Sequence, residues 1–418
     1  MASNNISRWH INLQLKARNN TGINYTIIHL FIQFFKVTSL GVCDDIELNK
    51  SMDINNLPKL PRSVLRMCFI LINNLYCIPT YVIWMLLLWP LGRVHPHLYW
   101  KIEGYLFHWL LAMVASWCDS AGYTVTESGD DISKCINERT LIIANHQSTA
   151  DVPILFSCYN IRKQVLPNIT WIMDSLFKYT NFGVVSYFHQ DFFIKSGKEN
   201  RDRALEELSH HLIDKYIPLD RKWLVLFPEG GFLRKRKAIS HKYADKHNLP
   251  KFENVSLPRV GALKVIMKTI SPQSCVNNNS SSKSELQRAH IKYVLDITIA
   301  YPKGVPIDLS HIVFGTRPPC ETVLFYRVYR ATEVPEDSEA MTQWLFQRWE
   351  EKEKMLQSFY DTGVISTEYS RTKTFEPRPV IQDYLRILIL NIFFIMSSYV
   401  HVRMFIAAYH CCVYFLVY

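Results

Sequence analysis

The run Asn145-His146-Gln147-Ser148-Thr149-Ala150-Asp151 sets an imidazole five residues ahead of a carboxylate. Chance supplies roughly one such spacing in a chain of this size, so the spacing alone is weak. Only one of the fifteen histidines has it, however, and that one stands just past the short apolar run Thr140-Leu141-Ile142-Ile143. The end of such a strand is where α/β sheets carry their sites. Five residues along an ideal helix turn through about 500°, leaving the two side chains about 140° apart, so they do not meet on a straight helix. With His146 in a strand-to-helix turn and Asp151 in the first helical turn, the carboxylate can accept from one ring nitrogen and fix the tautomer. The other nitrogen is then left as a base. Such a base takes the proton from a substrate hydroxyl as that oxygen attacks a thioester carbonyl, and no enzyme nucleophile is needed. The bland alternative is a helix cap with a hydrogen-bonded histidine.

A second constellation is Leu224-Val225-Leu226-Phe227-Pro228-Glu229-Gly230-Gly231, an apolar strand stopped by Pro and followed by an acid and two glycines. Such a turn is expected to expose backbone N–H groups and the Glu229 carboxylate where a ligand can approach closely. Arg234, Lys235, Arg236 and Lys237 follow at once and are candidates for substrate or CoA phosphates, or for anionic lipid. Arg259, at the start of a predicted helix and just before Gly261, is a further phosphate candidate. A solvated charged face is an equal reading for any one of these cations.

These groups need a scaffold, and the sequence supplies one. Residues 140–143, 168–173, 184–188, 223–227, 291–301 and 322–329 read as strands, and 199–216, 259–270 and 338–359 as helices. That alternation predicts an α/β sheet covered by helices. Residues 67–92 carry no charge and are flanked by Arg66 and Arg93, long enough for a bilayer core. Residues 104–118 read as an interfacial or re-entrant helix beside them, with Trp84, Trp89, Trp100, Trp109 and Trp117 suited to headgroup level; the alternative is that both segments are buried core helices. Residues 387–402, between Arg386 and Arg403, predict a C-terminal membrane helix. The expected organisation is an extension over 1–60, a membrane-associated helical segment over 61–125 and an α/β domain over 126–335 with a polar loop at 271–284. A charged helix and linker follow over 336–380, and a membrane segment over 381–418.

The composition agrees. Of 418 residues, 48% are hydrophobic and the formal net charge is +10. That is greasy for a soluble enzyme and basic enough for an anionic partner. The aromatics cluster in apolar runs rather than among basic residues, which points to membrane and phosphate and away from nucleic acid. The ten cysteines include no C-x-x-C, so neither a zinc site nor a disulfide framework is expected, and reduced thiols suit a cytosol-facing domain. The first twenty residues are polar, without the apolar core of a cleavable signal.

Four blocks, residues 146–151, 183–195, 227–230 and the apolar run ending in Ala300-Tyr301-Pro302, resemble those of the glycerolipid acyltransferase family. The match spans about residues 140–306, with the preceding membrane segment also typical. The stretches 227–236, Asp191-Phe192-Phe193-Ile194 and 298–303 are similar to the family members that acylate lysophosphatidylglycerol, and there the likeness extends over most of the chain after Pro61. The resemblance implies a helix-covered sheet, His146 as general base, Asp151 as its orienting partner, and Glu229, Gly230 and Gly231 shaping the acceptor site. It implies acyl-CoA as co-substrate with no bound cofactor, and an endoplasmic reticulum membrane location with the site facing the cytosol. In the family the second block usually ends in an arginine on the acceptor's phosphate. Lys195 stands nearest that place here and lacks the bidentate fork. Members acting on phosphate monoesters usually carry Thr-Arg after Glu-Gly, where this chain has Gly231-Phe232, so a lysophospholipid with a diester headgroup fits better. Competing readings are another acceptor (lysophosphatidylethanolamine, lysophosphatidylinositol, lysophosphatidic acid or monoacylglycerol), a lipid hydrolase, for which no G-x-S-x-G is present, and a non-catalytic membrane scaffold.

Overall fold

The computed structural model describes residues 60–417 apart from 198, 273–289 and 373. The extension and the polar loop expected at 271–284 therefore lie almost wholly outside the described residues. The chain opens with helices α1 (Leu60–Leu87), α2 (Trp89–Val94) and α3 (Pro96–Ser120) and strand β1 (Tyr123–Asp130). An alternating stretch follows: β2 (Thr140–Ala144), α4 (Asp151–Asn160), β3 (Ile169–Asp174), α5 (Asn181–His189), β4 (Phe192–Ile194), α6 (Arg201–His211) and β5 (Trp223–Leu226). Then come α7 (Leu233–His247), α8 (Gly261–Ile270), β6 (Tyr293–Ala300), α9 (Leu309–Phe314), β7 (Cys320–Arg330), α10 (Ser338–Thr362), β8 (Thr374–Pro379) and α11 (Tyr384–Val417).

The eight strands form one sheet in the order β4-β3-β5-β2-β6-β7-β1-β8. The five from β4 to β6 run parallel, and β7 turns antiparallel to β6. Central β2 is apolar throughout and wholly buried, as a parallel strand covered on both faces must be. Its side chains alternate between two cores. Ile142 and Ala144 join the cluster built with α3 and α4, and Leu141 and Ile143 the cluster built with α6, α8 and α10. The α/β class is as expected.

Three expectations need correction. Residues 184–188 are apolar but lie within α5, whose start is capped by the Thr180 side chain accepting from Gly183 N. A short apolar run does not distinguish a strand from a buried helix turn. Residues 104–118 lie in α3, a core helix: Trp117 is buried, and its Nε1 donates to Asn73 at 3.2 Å instead of sitting at headgroup level. Residues 336–380 hold the expected charged helix, α10, packed on one sheet face, but the stretch expected as a linker contains β8, which pairs antiparallel with β1.

By length and composition α1 and α11 can each cross a membrane, over Pro61–Leu87 and Tyr384–Tyr414. They run parallel and are joined by polar contacts. Asn73 Nδ2 donates to Asn391 at 3.2 Å, Tyr76 OH to the same oxygen at 2.5 Å, and Thr80 meets Ser398 at 2.7 Å. Small polar groups pairing across otherwise apolar helices are the usual adhesive where lipid removes the hydrophobic drive. Leu65, Ile72, Leu75, Leu385 and Ile392 point outward.

A buried charge network fixes α10 to the sheet. Lys352 Nζ lies 2.5 Å from Asp296 and also donates to Ile297 O at 2.5 Å, while Arg327 takes the other Asp296 oxygen at 2.5 Å and pairs with Glu351. Burial pulls the Lys352 ammonium down to about 8. Removing one partner strands the other, so Lys352→Ala should destabilise the domain by ~3–5 kcal/mol, whereas the triple replacement Asp296→Leu/Arg327→Met/Lys352→Met, which leaves no member of the buried triad behind, should cost much less. Thermal unfolding of the detergent-purified variants measures this. Equal losses in the two would contradict the pairing.

Candidate active site

Parallel β2 and β5 end side by side, Ile143 opposite Leu226, and the two sequence motifs leave the sheet at that edge. After β2 the side chain of Asn145 extends the ladder. Its Nδ2 donates to Ile299 O at 3.0 Å, and its Oδ1 accepts from Ile299 N at 2.8 Å. This pins the chain just before His146, and α4 begins only at Asp151, so the histidine folds back as the spacing argument requires.

The Asp151 carboxylate is fully buried and accepts four donors. They are His146 Nδ1 at 2.7 Å, Gln147 N at 2.7 Å, Ser148 N at 3.0 Å, and Tyr301 OH at 2.6 Å on the other oxygen. Burial first, and the neighbouring carboxylate second, push the Tyr301 hydroxyl well above its ordinary value, so it remains a donor. With Nδ1–H committed to Asp151, Nε2 is the basic nitrogen. Among the described residues Nε2 has no protein partner. The ring lies between Phe227, stacked at 4.2 Å, and Phe232, edge-on at 4.5 Å. The His146 side chain keeps 13% of its surface exposed.

The loop is tied down on every side. Ser148 Oγ donates to Ile307 O, Thr149 Oγ1 accepts from Leu309 N at 2.8 Å, and Gln147 Nε2 donates to Asn254 O at 2.7 Å. Ser148 is thus occupied as a structural donor, which removes it as the nucleophile of a hydrolase.

Glu229 departs from expectation. Its carboxylate is not offered to a ligand but is buried beneath the turn. It accepts from His146 N at 3.1 Å, Ser256 N at 3.0 Å and Trp349 Nε1 at 3.3 Å. The acid after the Pro turn thus ties the histidine's backbone to α10 instead of shaping the acceptor surface. Burial raises its pKa to about 8 against the pull of the three N–H groups. Gly230 (φ +67°) and Gly231 (φ +151°) form the turn itself, and the guanidiniums of Arg236 and Arg259 lie directly against them. Arg259 N also donates to Pro228 O at 2.8 Å. Arg234 is exposed on the first turn of α7, and Lys237 is committed to Glu253 at 2.6 Å. Lys195 is exposed just past β4, on the same sheet edge but beyond β3 from β5.

Residue-type reasoning missed four contributors: Tyr301, Trp349, Phe227 and Phe232 as ring neighbours. Tyr301 carried a signal, since it ends a strand beside the Asn145 ladder. Trp349, 120 residues from Glu229, carried none.

Comparisons with known proteins give the family. The acyltransferase family model matches residues 124–269, and the model of the acyltransferase C-terminus matches 311–394. Human acyl-CoA:lysophosphatidylglycerol acyltransferase 1 is 40% identical over 357 residues, covering 84% of this chain and 96% of its own. The mouse protein of that name is 39% identical over 353 residues, with 84% and 95% covered. A putative 1-acyl-sn-glycerol-3-phosphate acyltransferase of Caenorhabditis elegans is 31% identical, with 68% and 72% covered. A solved 1-acyl-sn-glycerophosphate acyltransferase from Thermotoga maritima covers 69% of this chain and 97% of its own at a TM-score of 0.35 and 14% identity. The chain belongs to the glycerolipid acyltransferase family. Within that family it is similar to the acyl-CoA:lysophosphatidylglycerol acyltransferases, and it is an enzyme of the lysophospholipid acyltransferase class. Two of its helices are long and apolar enough to cross a membrane.

Glu229→Gln places an amide N–H₂ against an N–H donor at either Ser256 or His146, so kcat should fall at least tenfold. A carboxyl with a raised folded-state pKa stabilises the fold fully below its ordinary value of 4.5 and loses that contribution as pH climbs to about 8. The melting-temperature advantage of wild type over Glu229→Gln should therefore shrink between these pH values and stay flat above. An advantage that grows with pH would contradict the assignment.

Proposed function

We propose that this acyltransferase moves a fatty acyl group from acyl-CoA to a free hydroxyl of a lysophospholipid with a diester headgroup, lysophosphatidylglycerol-like, by His146/Asp151 general-base catalysis. The observation that carries the reading is the 2.7 Å Nδ1–carboxylate contact that leaves Nε2 open at the sheet edge. Nε2 accepts the hydroxyl proton as the lipid oxygen attacks the thioester carbonyl carbon. Asp151 stabilises the imidazolium that results. The tetrahedral intermediate then collapses, the carbon–sulfur bond breaks, and the imidazolium returns the proton to the departing CoA sulfur. The new ester and free CoA thiol account for every atom, and no bound cofactor is required.

The diester preference rests on the absence of Thr-Arg after Glu229-Gly230 and on the relatives named for lysophosphatidylglycerol. An endoplasmic reticulum membrane with the site toward the cytosol, where acyl-CoA is found, completes the reading.

Purified protein incubated with labelled acyl-CoA and a panel of lysolipids tests it. His146→Ala should fold normally and lose ~10²–10⁴-fold in kcat. Asp151→Asn should also fold. The Asn oxygen can keep the Nδ1 and backbone donors while the Tyr301 hydroxyl rotates to accept from the amide, yet activity should fall ~10²-fold or more for want of the charge. Tyr301→Phe should cost ~10-fold in kcat with an unchanged KM for acyl-CoA. Undiminished transfer by His146→Ala would remove the base assignment.

A further inference from the structure

α5 and the turn before it carry apolar side chains where a surface helix carries polar ones. Residues 175–188 hold a single charged side chain, Lys178. On the inner side of α5, Gly183, Val185 and His189 are buried. The outer side presents Val184 and Tyr187, and the Ser175–Tyr179 turn adds Leu176 (75% exposed), Phe177 and Tyr179 (70% exposed). The comparably short α6 does the reverse, burying Ala204 and Leu208 and exposing Arg201, Asp202, Arg203 and Glu206. A helix that is apolar on both sides is either enclosed by protein or immersed in lipid, and among the described residues nothing encloses the outer side of α5.

The exposed side chains are held in place. Thr180 Oγ1 accepts from Gly183 N at 2.8 Å, and a Cβ built on Gly183 would stand 1.9 Å from Phe177 O. The turn therefore lies directly on the first turn of α5, and the two project their apolar groups as one unit.

The patch also continues a larger surface. Asn74 and Tyr81 of α1 face α5, through Asn181 at 3.5 Å and an edge-on contact with Phe188 at 6.5 Å. Asn73, Tyr76 and Thr80 face α11 on another side of α1. Leu65, Phe69, Ile72 and Leu75 take the outward arc left between these neighbours. α1 and α11 are the helices long and apolar enough to cross a membrane, so the patch extends sideways a surface already suited to lipid. α5 has nine residues, far short of the ~20 a span needs, and its composition is interfacial. Tyrosines sit well at headgroup level, and Lys178 Nζ lies 5.3 Å over the Tyr187 ring, its stem along apolar surface and its charge at the rim. The position fits the chemistry: β3 ends at Asp174, next to β5 and next but one to β2, so the patch starts from the sheet edge that carries His146.

We propose that residues 175–188 dock on the surface of the lipid bilayer, a third contact beside α1 and α11 that lies at the catalytic edge. This goes beyond the reaction proposed above and rests on the membrane location in that reading.

The test is photocrosslinking of the full-length protein in phosphatidylcholine–phosphatidylglycerol nanodiscs. Benzoylphenylalanine replaces one residue at a time, and the irradiated protein is weighed intact. The positions of Leu176 and Tyr187 should each gain the mass of one phospholipid, with ~10-fold or more the yield found at Gln347. Gln347 is exposed on α10, over the opposite sheet face. Leu388, outward on α11, reports whether the long apolar helices meet lipid at all. Both patch positions are exposed, so either one reports if the other variant does not fold. Lipid adducts at Leu388 without any at Leu176 or Tyr187 would overturn the docking and leave the membrane reading intact. No adduct at any position would remove that reading and the docking with it. A covalent pair of chains formed from Leu176 or Tyr187 would give the patch to a second copy of the protein and overturn the proposal.

Discussion

The site depends on one buried carboxylate that accepts four donors. Asp151 sits at the start of α4 with no solvent to stabilise it, and an unpaired charge there would cost several kcal/mol. Two backbone N–H groups, a phenol and an imidazole supply what water does not. Each of these donors is also a constraint. The Gln147 and Ser148 amides can reach the carboxylate only if the loop doubles back, and that same turn brings the His146 ring over Asp151. The helix N-terminus adds its own favourable field for a negative charge. The solvation of one charge thus sets the tautomer and the aim of the base.

The turn holding that geometry draws on the whole domain. Glu229, 83 residues on from His146, takes the histidine's backbone N–H and is itself gripped by Trp349 of α10. Glu353 on the same helix accepts from the backbone of Glu253, Asn254 and Val255, and Asn254 O in turn holds Gln147. The helix beyond the family's core blocks is therefore a wall of the catalytic loop. The Asp296–Lys352–Arg327 network that docks it therefore also supports the His146 loop.

Much of this was legible in the sequence. The His146/Asp151 pair was readable because an ideal helix forbids the contact and a strand end permits it. The apolar strands 140–143 and 223–227 were readable because a parallel strand buried on both faces has no polar positions to obscure it. The short run 184–188 carried the same apolar signal and is helix, because the Thr180 cap and tertiary packing outweigh a five-residue pattern. The role of Glu229 was misread for a physical reason. A Pro-Glu-Gly-Gly turn looks open, but whether its carboxylate points outward depends on donors at Ser256 and Trp349 that are distant in sequence. Strands β1 and β8 were invisible for a similar reason. Tyr-Thr-Val-Thr-Glu-Ser-Gly-Asp and Thr-Phe-Glu-Pro-Arg-Pro lack a clean apolar pattern, and the polar side chains of β1 are satisfied by residues distant in sequence, such as Glu127 by Arg162 and Tyr326 and Asp130 by Val328 N, Arg371 N and Thr372 N.

The long apolar helix α1 is tied to the same edge of the sheet. Because β1 runs opposite to β2, the end of α3 comes out beside the catalytic loop. Arg66 near the start of α1 donates there to Ser120 O at 2.9 Å and Trp117 O at 3.1 Å. Its other contact, Ile312 O at 2.9 Å, lies on α9, the helix whose first amide, Leu309 N, is held by Thr149 inside the histidine motif. The Arg66–α9–Thr149 connection therefore keeps the end of α1 and the His146 loop from moving apart.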